Sequence, residues 1–169
     1  MIRLAIAAML VLALTGCAAM SGAGLAHPEA AAYAVTPDTM GDVDAALARA
    51  AASDKRVLLV MGANWCHDSR ALAGWLETPR FAALVSARYE VVYVDVGVPQ
   101  TGEGRNLEIA RRFGLAEIPG TPALLVLTAD RRAVNLETSA NWSNAGSRSE
   151  DAIYAELAAL AETPPPLAS

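Results

Sequence analysis

Two short runs carry no polar side chain: Val57-Leu58-Leu59-Val60-Met61 and Ala123-Leu124-Leu125-Val126-Leu127. Their length suits strands, and an apolar residue at every position leaves neither face for water. Strands of this kind need cover on both sides, so helices must lie above and below them. The rest of the chain supplies that cover. Val43, Ala46, Leu47 and Ala50 recur at helical spacing, which predicts an amphipathic helix over 42–52 started by a Thr39 or Asp42 cap. A second helix begins near Cys66, runs through Leu72, Trp75 and Leu76, and breaks at Thr78-Pro79; Phe81, Leu84 and Val85 form another short helical piece. Tyr89 to Val94 is a β-branched strand.

The second half continues in the same alternation. Residues 97–105 read as a Gly/Pro loop, Leu107 to Phe113 as a short helix stopped by Gly114, and 116–122 as a loop with two prolines. A turn at Ala129-Asp130-Arg131 leads to a weaker strand near Ala133 to Leu136. The last helix runs from Ser149 to Ala161, behind a Ser147-x-x-Glu150 capping box, and ends before Pro164-Pro165-Pro166. This order predicts an α/β sandwich with parallel central strands.

The first residues read as an address. Arg3, the apolar run Leu4 to Leu14 and then Thr15-Gly16-Cys17 have the three regions of a secretory signal, too short to span a bilayer. Leu14-Thr15-Gly16-Cys17 resembles the lipobox of bacterial lipoproteins, which implies lipidation of Cys17 as the mature N-terminus; ordinary cleavage after Ala26 is the alternative. Ala18 after the Cys, by resemblance to sorting signals, implies an outer-membrane anchor facing the periplasm, and ordinary cleavage implies a soluble periplasmic protein. The expected organisation is therefore a signal over 1–17, a flexible tether over 18–34 with His27 in it, one domain over 35–162 and a Pro-rich tail over 163–169.

Charge and cysteine count narrow the chemistry. Thirteen basic residues against eighteen acidic ones, with Lys55 the one lysine, leave no basic face for nucleic acid. Two cysteines and two histidines, His27 and His67, do not assemble a Cys/His zinc set, and no metal is expected. With Cys17 capped or removed, Cys66 is the single thiol. It stands where a buried strand feeds a helix, against unpaired backbone N–H groups and the positive end of the helix dipole, which favours the nucleophilic thiolate. His67, protonated, would add to that effect and Asp68 oppose it.

At this point the chain resembles the thioredoxin superfamily. Val57-Leu58-Leu59-Val60-Met61-Gly62-Ala63-Asn64-Trp65-Cys66 looks like the strand leading into a Trp-Cys-x-x-Cys site, and Gly120-Thr121-Pro122-Ala123-Leu124-Leu125-Val126 like the Pro-led strand facing it. The resemblance covers roughly 35–161 and implies a thioredoxin-like α/β three-layer sandwich, with a central mixed sheet of about four to five strands flanked by helices. It implies a cis Pro122, with the Thr121 backbone offered to an extended substrate chain and Trp65 rimming the site. Two departures matter: Ser69 replaces the second cysteine, and Val60 stands where many relatives carry a buried acid. Ser69 either donates a hydrogen bond to the Cys66 thiolate or is a small polar helix residue; His67 is either a thiolate partner or a solvated helix-start residue. Trp75 reads as a packing residue, whereas Trp142 has no assigned role.

The leading expectation is a monomeric monothiol thiol-disulfide oxidoreductase acting on protein or glutathione thiols and disulfides. Cys66, His67 and Ser69 form its catalytic group, and Trp65, Thr121 and Pro122 bind substrate. No cofactor is needed, and an external thiol such as glutathione serves as co-substrate. The alternative is a redox-inactive binding module that holds extended or partner chains in the same groove. A Cys–His hydrolase lacks an orienting residue around a distant His. Iron–sulfur binding of the monothiol-glutaredoxin kind lacks the Gly-Phe dipeptide, which is His67-Asp68 here.

Overall fold

The computed structural model describes residues 27–166. The expected signal, its Cys17, the first part of the tether and the last three residues lie outside the described residues. The elements in chain order are α1 (Thr39–Ser53), β1 (Arg56–Gly62), α2 (His67–Glu77), α3 (Pro79–Arg88), β2 (Tyr89–Asp95), β3 (Gly97–Val98), β4 (Glu103–Gly104), α4 (Leu107–Arg112), β5 (Ala123–Leu127) and α5 (Glu150–Glu162), with a 3-10 segment over Leu136–Ser147 before the last helix.

β1 is the centre of a mixed sheet ordered β2-β1-β5, parallel to β2 and antiparallel to β5. The pleat sends alternate residues of the apolar runs to opposite faces. Val57, Leu59 and Met61 join Leu125, Leu127, Val94 and the apolar side of α1 and α4 in one buried cluster. Leu58, Val60, Leu124 and Val126 join α2, Phe81, Trp142 and α5 in a second on the other face. Both faces are dry, as the unbroken apolar runs require, and the α/β three-layer architecture follows.

The sheet carries three strands among the described residues, fewer than expected. The segment read as a weaker strand near Ala133 to Leu136 makes one bridge, Leu127 to Ala133, and then leaves. Its place along β5 is taken by a side chain: the Asn135 amide donates to the Leu124 carbonyl at 2.9 Å and accepts from Val126 N–H at 2.8 Å. With both backbone groups satisfied, a fourth strand has nothing left to pair there, and the chain turns into the 3-10 segment. That segment buries Trp142 completely, so this tryptophan is a core residue.

Other boundaries differ for local reasons. Asp38, rather than Thr39 or Asp42, caps α1, its carboxylate accepting from Gly41 N–H at 2.8 Å. Ser149 caps α5 by accepting from Ala152 N–H; Ser147 instead donates to the Asn144 carbonyl, so the Ser147 capping box does not form. The 97–105 loop folds back as the β3–β4 hairpin around a turn that ends at Gly102, whose φ of +83° suits glycine.

The flexible tether does not extend over 27–34. Tyr33 is buried, its N–H donates to Asn64 Oδ1 at 3.1 Å, and its carbonyl accepts from Asn64 Nδ2 at 2.8 Å. Its hydroxyl donates to the Ser69 carbonyl at 3.2 Å, and Ala30 N–H to the Arg70 carbonyl at 3.0 Å. Backbone pairing of this kind needs no hydrophobic period in the sequence, so the stretch straps α2 although it reads as a linker. Among the described residues no helix is long and apolar enough to cross a membrane.

Candidate active site

The antiparallel register pairs Met61 at the end of β1 with Ala123 at the start of β5. The loops beyond those two residues therefore meet, one carrying Trp65 and Cys66, the other Thr121 and Pro122. Cys66 is the N-cap residue of α2, with its own N–H donating to the Ala63 carbonyl at 3.1 Å. Cys66 is 8% exposed, and its Sγ thiol donates to the Thr121 carbonyl at 3.1 Å. The Thr121–Pro122 peptide bond is cis. A thiol at a helix start and the backbone of a Pro-led strand thus share one small site.

Trp65 is 56% exposed and stands over the β3 strand, its Nε1 donating to the Gly97 carbonyl at 3.0 Å. Ser69 is fully buried, and its Oγ accepts from Ala63 N–H at 3.3 Å. The hydroxyl fits the space left by Gly62, where an added Cβ would lie 2.5 Å from it. The contacts of Ser69 thus lie with the β1–α2 turn. His67 faces away toward the strap: its Nδ1 is 2.9 Å from Glu29 Oε1 and its Nε2 is 3.0 Å from His27 Nε2. His27, expected in a tether, is instead part of this cluster. Asp68 accepts from Gly146 N–H at 2.7 Å and ties the start of α2 to the 3-10 segment.

The residues that hold the site and carry no motif are Asn64, Arg70 and Glu29. Arg70 donates to Glu29 at 2.8 Å and to the Asn64 carbonyl at 2.9 Å, linking strap, turn and helix. The hydrogen bond from Arg70 holds the Glu29 carboxyl below its usual range, ahead of the attraction of Arg70, His67 and His27. Behind the site, burial raises the Tyr33 hydroxyl far above its ordinary value. Arg70 is the one of these with a readable sequence position, one turn after Cys66.

A family model described as thioredoxin-like matches residues 38–129, more than half of the chain and both loops of the site. The chain belongs to the thioredoxin-like family. This thioredoxin-like domain is 34% identical in sequence to a solved disulphide isomerase from Xylella fastidiosa Temecula1, with a TM-score of 0.69 over 82% of this chain and 99% of that one. A protein of unknown function from Pseudomonas aeruginosa is 19% identical, with a TM-score of 0.42 over 80% of this chain and 92% of that one. No curated protein matches the sequence.

Proposed function

We propose that this chain is a thiol-disulfide oxidoreductase that works through Cys66 alone, with an external thiol completing each exchange. The observation that carries the reading is the contact of the Cys66 thiol with the Thr121 carbonyl, at the start of the Pro122-led strand, in a chain related to a disulphide isomerase. The thiol lies against the backbone that an extended substrate would pair with. A substrate strand laid along Thr121 places its sulfur beside Sγ.

The exchange balances with glutathione as co-substrate. The Cys66 thiolate attacks a protein–glutathione disulfide; the sulfur–sulfur bond breaks, the protein sulfur leaves and takes a proton, and glutathione is joined to Cys66. A second glutathione thiolate attacks that bond, releasing oxidised glutathione and restoring the Cys66 thiolate. Ser69 offers no sulfur for an internal second step. His67, its two nitrogens turned to the strap, positions the helix start in this scheme, and Trp65 provides an exposed indole at the rim. The lipobox-like Leu14-Thr15-Gly16-Cys17 supports an exported chain held by lipid at the outer membrane and facing the periplasm, an oxidising setting that suits this chemistry.

The near-complete burial of Cys66 favours a second reading, a module that holds partner chains and at most forms a lasting adduct. Reaction of the full chain with a glutathionylated peptide and free glutathione separates the two. Repeated production of oxidised glutathione, lost in Cys66→Ala, is the expected result. A stable one-to-one adduct, or no reaction, overturns the enzyme in favour of the binding module.

A further inference from the structure

Two imidazoles meet beside the site with their inner nitrogens in contact. His27 Nδ1 lies 3.3 Å from the Pro28 carbonyl, an acceptor, so this nitrogen carries the hydrogen. His67 Nδ1 lies 2.9 Å from Glu29 Oε1, a carboxyl whose other oxygen accepts from Arg70 at 2.8 Å, so His67 Nδ1 is placed to donate to it. In neutral rings, hydrogens on the two outer nitrogens leave a lone pair on each inner one. Those inner nitrogens, His27 Nε2 and His67 Nε2, face each other at 3.0 Å. Two lone pairs at that distance repel unless a positive centre stands between or beside them.

We propose that His27 Nε2 and His67 Nε2 are two ligands of a divalent d-block cation of the imidazole-preferring kind, such as Zn²⁺ or Cu²⁺, with Glu29 as the residue that positions His67. Ligands about 2.0–2.1 Å from a metal are about 2.9 Å apart at a right angle and about 3.4 Å apart in a tetrahedron. The observed separation falls in that interval. One candidate ligand atom from each of His27, Glu29 and His67 lies within 4.8 Å of the others. The outer N–H bonds are the pattern that fixes tautomer and ring direction in metal-binding histidines, a carboxylate on one ring and a backbone carbonyl on the other. Glu29 is itself held by Arg70 at 2.8 Å. The His67 side chain is 57% exposed, so the ion has a path in and open positions for water or a further ligand.

The rings belong to different segments, His27 to the strap and His67 to α2. A bound ion therefore pins the strap to the helix that starts at Cys66. This follows from the histidine pair and stands whether or not Cys66 turns over disulfides.

The test uses the full chain with Cys17→Ser and Cys66→Ser, so that no thiol competes for the metal. Cu²⁺ is titrated in, with electron paramagnetic resonance to read the ligands and calorimetry to read the affinity. The expected result is one tight site with coupling to two nitrogens. His27→Ala and His67→Ala each abolish that signal, and Glu29→Gln weakens binding by about 10- to 100-fold. Circular dichroism confirms that the variants stay folded. Absence of binding, or binding that survives either histidine substitution unchanged, overturns the proposal and leaves a pair that shares a proton.

Discussion

Replacing Gly62 by alanine would place a Cβ 2.5 Å from Ser69 Oγ and 2.8 Å from the Tyr33 ring. The ring is buried and its hydroxyl is tied to the Ser69 carbonyl, so it has no free direction in which to yield. Gly62→Ala is expected to cost about 1–3 kcal/mol, the usual range for overpacking, read as a lower urea midpoint at unchanged slope. Unchanged stability would mean that Ser69 and Tyr33 relax at no cost. Ser69→Cys tests the same spot chemically. It restores the spacing of a two-cysteine site, and mild oxidation is expected to join Cys66 to the new sulfur, detected by peptide mapping, with some reductase activity driven by dithiothreitol alone. If no such bond forms, the new sulfur is held in the pocket that the buried hydroxyl occupies now, and the proposed enzyme loses support.

The strap over 27–34 has its own vulnerable point in α2. A Cβ at Gly74 would lie 2.4 Å from the carbonyl carbon and oxygen of Pro28, backbone atoms that cannot swing aside. In the helix itself alanine is favoured over glycine by about 0.8–1.0 kcal/mol. Gly74→Ala should therefore loosen the strap while leaving α2 intact, seen as faster proteolytic cleavage before Tyr33 with little loss of helical circular dichroism. Equal cleavage rates in the two proteins would show that the strap is not held at Pro28. The strap also marks where sequence reading stops. The buried strands were legible because Val57 to Met61 and Ala123 to Leu127 admit no exposed face, and the site was legible because Cys66 and Pro122 stand next to those strands. Asn64 and Asn135 were not. Each uses one side-chain amide to satisfy backbone groups, of Tyr33 in one case and of Leu124 and Val126 in the other. An asparagine in a loop has no spacing that announces such a role. His27 and Glu29 were hidden for the same reason, since the backbone pairing of Ala30 and Tyr33 brings them to His67 across forty positions.

For the molecule as a whole, buried phenols and paired carboxylates make stability depend on pH at both ends of the scale. Burial raises the hydroxyls of Tyr33 and Tyr89 well above the ordinary value and that of Tyr93 to about 12. The unfolded chain ionises these groups near pH 10, whereas the folded chain keeps their protons. Their contribution is whole below about pH 10 and is lost as pH rises toward the folded values. On the acid side, Arg70, Arg112 and Arg49 hold Glu29, Asp44 and Glu90 below the usual carboxylate range, and the Thr128 hydroxyl does so for Asp130. That contribution is present above about pH 4 and is lost as pH falls through the folded values; it is surface-exposed, so salt weakens it. The urea midpoint is thus expected to decline more steeply above about pH 10 than below about pH 4. Tyr33→Phe should flatten the alkaline limb, and an unaltered limb would remove burial of this phenol as its cause.

β5 lies at an edge of the sheet and is apolar throughout. An open edge of that composition is a template on which a second copy can add a strand, and then a third. The Asn135 amide closes it with a group too short to present an edge of its own, so the sheet ends within one molecule. Asn135→Leu would uncover Leu124 and Val126, and concentration-dependent, dye-binding fibrils are the expected outcome. One side-chain amide would then separate a sheet that ends within its own molecule from one that grows without limit.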